Sequence, residues 1–241
     1  MQKIISCVLS LLLFVQVVAA DNVVYSFNGT RAQVVTVNSD GTNAQILLRG
    51  RGGVTGITYD GTGNNICWSE TQSQRIICSK ADGSDPVTVV SGLEAFRDLV
   101  IGPSSKIYFI DNNLVKRVNI DGTGLETLVA GAGTLSGIDV EGTNIFYFDD
   151  ASNTLYRSNL DGTGVTSLAT IALFTAADIE VNATHIFLVD SSGTIKRANI
   201  DGTGAADFIT GLTYPAGLEI DATNSKLLFT DSALARCFQQ I

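Results

Sequence analysis

One pattern recurs six times along this chain, at intervals of about 40 residues. Each copy has an apolar, aromatic-bearing run that ends in an acid or amide. Where the copy is complete, a second run follows and ends in Asp-Gly. The Asp-Gly pairs stand at Asp40–Gly41, Asp82–Gly83, Asp121–Gly122, Asp161–Gly162 and Asp201–Gly202, spaced by 42, 39, 40 and 40 residues. A period of this size marks units that cannot bury their apolar faces alone and must stack on their neighbours.

Aligning the copies yields four strands per unit. In the third copy these are Leu99–Ile101, Lys106–Ile110, Leu114–Ile120 and Glu126–Val129. Asp121-Gly122-Thr123-Gly124 turns the third strand into the fourth, because Gly accepts positive φ and Asp caps its own turn. That chemistry accounts for the five aspartates without making them a ring of calcium ligands. Runs such as Ile145-Phe146-Tyr147-Phe148 are continuously apolar, as strands covered on both faces should be. Four antiparallel strands in each unit of this length predict an all-β, six-bladed β-propeller.

The ends read differently. Lys3, an apolar stretch from Val8 to Val18, and small residues at Val18-Ala19-Ala20 have the layout of a secretion signal cleaved before Asp21. The stretch is too short to span a bilayer comfortably. The domain reading is therefore a signal over 1–20 and one propeller over 21–241, with no membrane insertion and a secreted, extracellular location. The chain carries a net charge of −9, which argues against nucleic acid and anionic membrane surfaces as partners. Asn28-Gly29-Thr30 and Asn182-Ala183-Thr184 are acceptor sequons for N-glycans.

The second strands end in Cys67-Trp68-Ser69-Glu70, Tyr108-Phe109-Ile110-Asp111, Phe146-Tyr147-Phe148-Asp149, Phe187-Leu188-Val189-Asp190 and Leu228-Phe229-Thr230-Asp231, with Tyr25-Ser26-Phe27-Asn28 in the first copy. These resemble the Tyr-Trp-Thr-Asp motifs of the class B repeats of low-density lipoprotein receptor-like proteins. Third strands such as Lys116-Arg117-Val118-Asn119-Ile120-Asp121-Gly122 agree. The resemblance covers essentially all of 21–241. It implies a propeller that binds other extracellular proteins or matrix. It also implies structural roles for the motif positions Asn28, Glu70, Asp111, Asp149, Asp190 and Asp231 and for Arg117, Arg157 and Arg197. A comb of arginines for carboxylate ligands is the functional alternative. The family's cysteine-rich neighbouring modules are absent from this sequence.

Closure is the departure. The first copy lacks an innermost strand, and the last, built from Gly217–Ile220, Leu227–Thr230 and Leu234–Phe238, lacks a fourth. Open edges of this kind invite another chain. A truncated receptor fragment, imperfect closure and completion by a partner are the readings left open.

Cys67 and Cys78 occupy opposed cross-strand positions, which brings their Cβ atoms within disulfide range. We therefore expect a Cys67–Cys78 bridge. Cys237 is left over in the processed chain, either unpaired or linking two chains through the C-terminal region. His185 is the single histidine. It has no Gly-x-Ser-x-Gly nucleophile to serve.

Innermost strands line a propeller's channel. Their middle positions align as Thr58, Val100, Asp139, Glu180 and Glu219. Three successive carboxylates could hold a calcium ion through oxygen ligands, as a calcium-dependent lactonase-like hydrolase would require; otherwise they are solvated in a wet channel. The principal expectation is a non-enzymatic binding module without a cofactor. Its contacts would come from rim loops such as Asn43–Gln45, Thr71–Gln74, Asn112–Asn113 and Ser152–Asn153.

Overall fold

The computed structural model describes residues 5–6, 13–18, 22–27, 32–38, 43, 45–51, 53–60, 63–130, 133–173, 175–221, 226–231 and 236–240. In chain order the strands are β1 (Ile5–Ser6), β2 (Leu13–Val18), β3 (Asn22–Phe27), β4 (Ala32–Asn38), β5 (Gln45–Arg51), β6 (Val54–Asp60), β7 (Asn65–Glu70) and β8 (Arg75–Lys80). They continue as β9 (Val87–Ser91), β10 (Phe96–Gly102), β11 (Lys106–Asp111), β12 (Leu114–Asn119), β13 (Glu126–Ala130), β14 (Leu135–Glu141), β15 (Asn144–Asp149) and β16 (Thr154–Asn159). The last are β17 (Thr166–Thr170), β18 (Ala176–Val181), β19 (His185–Asp190), β20 (Thr194–Asn199), β21 (Ala206–Ile209), β22 (Pro215–Asp221), β23 (Lys226–Asp231) and β24 (Arg236–Gln240).

Four successive blades are described with side chains along every strand: β6–β9, β10–β13, β14–β17 and β18–β21, each four-stranded and antiparallel. Their innermost strands stand side by side, β6 next to β10, β10 next to β14 and β14 next to β18. This is an all-β propeller. The sequence predicts six blades, of which these are four. The remaining strands pair as β2-β3-β4-β5 and β1-β24-β23-β22.

Those two end sheets bear on the closure expected from the sequence. The innermost place beside β3 is filled by β2, and the outer place beside β24 by β1. Both strands fall within residues 1–20, the stretch with the layout of a secretion signal. Apolar β-branched residues suit an inner strand as well as a signal's core, so the two uses cannot be separated by composition. Asn28 lies outside the described residues. Cys237 sits on β24, with its backbone opposite Ile5 and Thr230.

The core lies between blades. Ile145, Phe146, Tyr147 and Phe148 are each at most 1% exposed. Ile145 and Tyr147 pack with Tyr108, Ile110 and Ile138. Phe146 and Phe148 pack with Ile179, Ile186 and Leu188 of the following blade. Alternate residues of one strand thus face opposite neighbours, which is why the run has no polar face. Full burial of each such side chain contributes about 1.5–3 kcal/mol.

The Asp-Gly turns form as expected. Asp121 Oδ1 accepts the Thr123 N–H at 2.9 Å and its hydroxyl at 2.6 Å, and Asp161 and Asp201 repeat the arrangement. These hydrogen bonds hold the exposed carboxyls of Asp121, Asp161 and Asp201 below the usual range. The Cys67–Cys78 disulfide is present across β7 and β8.

Candidate functional site

The motif acids grip the loops that lead into their own blades. Asp111 Oδ1 accepts the N–H groups of Glu94 and Ala95 at 2.8 and 3.0 Å, while Lys116 Nζ sits 2.7 Å from Oδ2. Asp149 accepts from the backbone of Thr134 and Ala151 and from the Ser152 hydroxyl. Asp231 accepts from the backbone of Thr213 and Tyr214, and Asp190 from that of Ser192. Glu70 instead takes Arg75, whose Nη2 is 2.7 Å from Oε2. Each acid ends a second strand, so its carboxylate reaches the connection between successive blades and satisfies N–H groups that no strand pairs.

The arginines diverge. Arg117 donates to the Leu160 carbonyl of the next blade at 2.7 Å and to Glu126 on its own. Arg197 lies over the Phe208 ring at 4.8 Å. Arg157 stands opposite Phe146 in register, half-buried.

The channel is where chemistry-bearing groups converge. Each described innermost strand slips register against its second strand near its start, at Val54/Ile57, Phe96/Leu99, Leu135/Ile138, Ala176/Asp178 and Pro215/Leu218. A bulge leaves backbone groups unpaired and re-aims side chains. Two hydroxyls take up the donors this exposes within a blade. Ser69 Oγ accepts the Gly56 N–H, and Thr230 Oγ1 the Gly217 N–H, both at 3.0 Å.

The channel-facing edges are capped from the preceding blade. Asp98 accepts its neighbour Leu99 N–H at 2.8 Å and, from the next blade, Ile138 N–H at 3.1 Å. Asp139 accepts Val140 N–H at 2.6 Å and Val181 N–H at 2.7 Å. Asp178 accepts Ile179 N–H at 2.8 Å and Leu218 N–H at 2.7 Å. Thr58 Oγ1 does the same for Ile101 N–H at 3.0 Å. The innermost strand of every sheet is an open edge, and these side chains answer its donors. Consecutive blades alternate between two levels, Thr58 and Asp139 on one, Asp98 and Asp178 on the other. Glycines take the second level in the intervening blades. At Gly137 a Cβ would lie 2.8 Å from Ile179 Cγ1, so only glycine admits the next strand there.

Four carboxylates, Asp98, Asp139, Asp178 and Glu180, line a cavity of about 370 Å³ that is open to solvent. Asp139 is buried. The other three keep some surface on the cavity yet lie deep in the protein. Burial pushes Asp98 up to about 7 against the pull of its two N–H donors. Burial likewise takes Asp139 to about 7, with Asp98 and Glu141 adding repulsion. Burial, then the Asp98 charge, raises Asp178 well above the ordinary range. For Glu180 burial leads, followed by the charges of Glu219 and Asp139.

The sequence singled out Asp139, Glu180 and Glu219 as a level of carboxylates, and they do occupy equivalent register positions, opposite Phe146, Phe187 and Leu228. Among the described residues, no three His, Cys, Asp or Glu side chains gather closely enough to hold a metal ion. Asp98 and Asp178 were missed. Shifting the alignment two residues upstream would have found them, as the series Gly56, Asp98, Gly137, Asp178, Gly217.

Asn182 lies in the hairpin between β18 and β19. Its Oδ1 accepts the N–H groups of Thr184 and His185. His185 Nδ1 is 2.8 Å from Thr184 Oγ1. Hairpins of this kind and the Asp-Gly turns project from one face of the disc. The hairpins at 71–74, 112–113 and 150–153 project from the other. Asn43 lies between β4 and β5, and so on the sequon's face. Among the described residues no helix is long and apolar enough to cross a membrane.

No protein-family model matches the chain, nor does any curated protein. Solved structures do. A chain from a nidogen/laminin complex is 17% identical, covers 90% of this chain and 92% of its own, and superposes with a TM-score of 0.74. A gluconolactonase from Xanthomonas campestris is 16% identical, covers 99% of this chain and 87% of its own, with a TM-score of 0.80. A PQQ-bound aldose sugar dehydrogenase from Streptomyces coelicolor is 12% identical, with coverages of 98% and 96% and a TM-score of 0.73. At these identities the likeness establishes the fold: this chain is a β-propeller with four-stranded antiparallel blades.

Proposed function

We propose that the protein is a secreted, non-enzymatic binding module: a six-bladed propeller, akin to those of low-density lipoprotein receptor-like proteins, that presents one face to another extracellular protein or to matrix. The observation that carries this reading is how its polar side chains are used. The motif acids Asp111, Asp149 and Asp231 hold inter-blade loops, and Asp98, Asp139 and Asp178 hold neighbouring strands. These groups serve as scaffold, which leaves recognition to the rim loops. The six-blade count is supported by the two end sheets, each four-stranded. Secretion is supported by the layout of residues 1–20 and by the disulfide. A glycan at Asn182 would occupy one face and leave the partner the opposite one, around Gln72, Ser73, Asn112 and Asn113, all exposed.

The test is a pull-down from extracellular fluid with the chain expressed through a secretory route. Capture of a partner that is lost when 71–74 and 112–113 are replaced by Gly-Ser supports the reading. Capture that survives the replacement overturns the choice of face. Intact mass of the exported chain reads the fate of residues 1–20 and the glycans.

A calcium-dependent lactonase is the second reading, favoured by the acidic channel and the gluconolactonase likeness. Calcium-stimulated opening of a sugar lactone, lost in Glu180→Gln, would replace the first reading with it.

A further inference from the structure

The channel cavity is built from five innermost strands, and it is one-sided in charge. Its wall includes Asp98, Asp139, Asp178 and Glu180, and no Lys, Arg or His. The groups that act on these carboxyls electrostatically are further acids, Glu141 and Glu219. β2, which stands beside β6 and β22, has no titratable residue in its sequence. Buried carboxylates with no cation are costly.

The three aspartates and the glutamate are not equivalent. Both oxygens of Asp98, Asp139 and Asp178 already accept backbone N–H groups. Glu180 differs. It lies deep in the protein, borders the cavity, and receives no hydrogen bond from any described residue. A buried polar side chain is ordinarily satisfied. The missing partner is therefore a donor that enters the cavity.

A hard metal ion fits this arrangement poorly. Calcium takes six to eight oxygens at about 2.3–2.6 Å, and the aspartate oxygens are held by backbone donors. An ammonium or guanidinium group has different needs. It requires accepted hydrogen bonds at about 2.7–2.9 Å and a negative field, not a closed oxygen cage. Glu180 offers the acceptors and the aspartates offer the field. The cavity has the size of a small-molecule site, about 300–1,000 Å³.

We propose that the channel binds an organic cation, with Glu180 accepting from its ammonium or guanidinium N–H groups and Asp98, Asp139 and Asp178 supplying the surrounding negative field. The proposal stands apart from the choice between binding module and lactonase. It needs neither a protein partner nor a reaction.

The cation could be a free amine or a side chain presented by another protein, and two probes separate these sources. One is putrescine. The other is the blocked peptide acetyl-Gly-Gly-Lys-Gly-Gly-amide, whose only amine is the lysine. Calorimetric titration of the full chain at pH 7.5 and low salt should show saturable binding of at least one probe. Binding of putrescine assigns a free amine, and binding of the peptide alone assigns a presented side chain. Glu180→Gln should weaken that binding at least tenfold without moving the unliganded melting temperature, since Glu180 supports no backbone N–H. Glu180→Ala should do the same. No binding of either probe to 10 mM overturns the proposal. So does equal affinity in both variants, or displacement of the bound probe by calcium at equimolar concentration.

Discussion

Asp139 Oδ2 accepts the backbone N–H of Val181 at 2.7 Å, joining two adjacent blades across 42 residues of chain. The same carboxylate holds Val140 N–H through its other oxygen. One side chain thus answers two channel-facing donors. Asp139→Leu should leave both N–H groups without a partner, and each orphaned buried donor costs about 1–3 kcal/mol. Because the substitution also removes a buried acid, the net loss should fall near the lower end at pH 8, read as a lower denaturation midpoint with an unchanged m-value.

Stability should fall as pH rises from about 4 to 7. Burial raises Asp98 and Asp139 to about 7, whereas an unfolded Asp titrates near 3.9. Between those values the folded chain holds protons that the unfolded chain has released, so stability decreases with pH and levels off above 7. The denaturant midpoint at pH 5 should exceed that at pH 8. His185 is the one side chain whose ordinary titration lies in that window, and His185→Gln should leave the trend in place. A midpoint that climbs between pH 5 and 8 would show that the channel carboxyls stay ionised.

Asp111→Ala should loosen one loop rather than the whole disc. It frees the N–H groups of Glu94 and Ala95 and leaves Lys116 without its carboxylate. We expect a loss of about 2–4 kcal/mol. Amide exchange should accelerate most at Glu94 and Ala95, with little change in the blade formed by β18–β21.

Replacing Cys67 and Cys78 together by alanine should cost about 3 kcal/mol by loop-closure entropy, given a sequence separation of 11. Alanine suits the site because both cysteines are buried. The melting temperature of the double variant should match that of the reduced wild type.

Gly162→Ala should destabilise by about 2 kcal/mol or more. The residue has φ 80°, and a Cβ would run into the Leu128 carbonyl of the preceding blade. Gly211→Ala is the control, since its φ is 79° with nothing near its Cβ. The difference between the two variants isolates the blade contact from the backbone strain.

The sequence by itself determined the repeating unit, the Asp-Gly turns, the acids at the ends of the second strands and the Cys67–Cys78 pairing. All of these rest on contacts within one blade, where partners lie some 20 residues apart or fewer and turn geometry sets the register. Only the tertiary structure decided that Asp98 caps Ile138, that Asp178 caps Leu218, and that Leu13–Val18 lies beside Asn22–Phe27 as an inner strand. The first two depend on a bulge that re-aims a side chain toward a donor 40 residues away, which no local pattern records. The third depends on which strand edges the rest of the chain leaves open. An apolar stretch like this one satisfies an inner strand and a secretion signal equally well, so its composition alone does not choose between them.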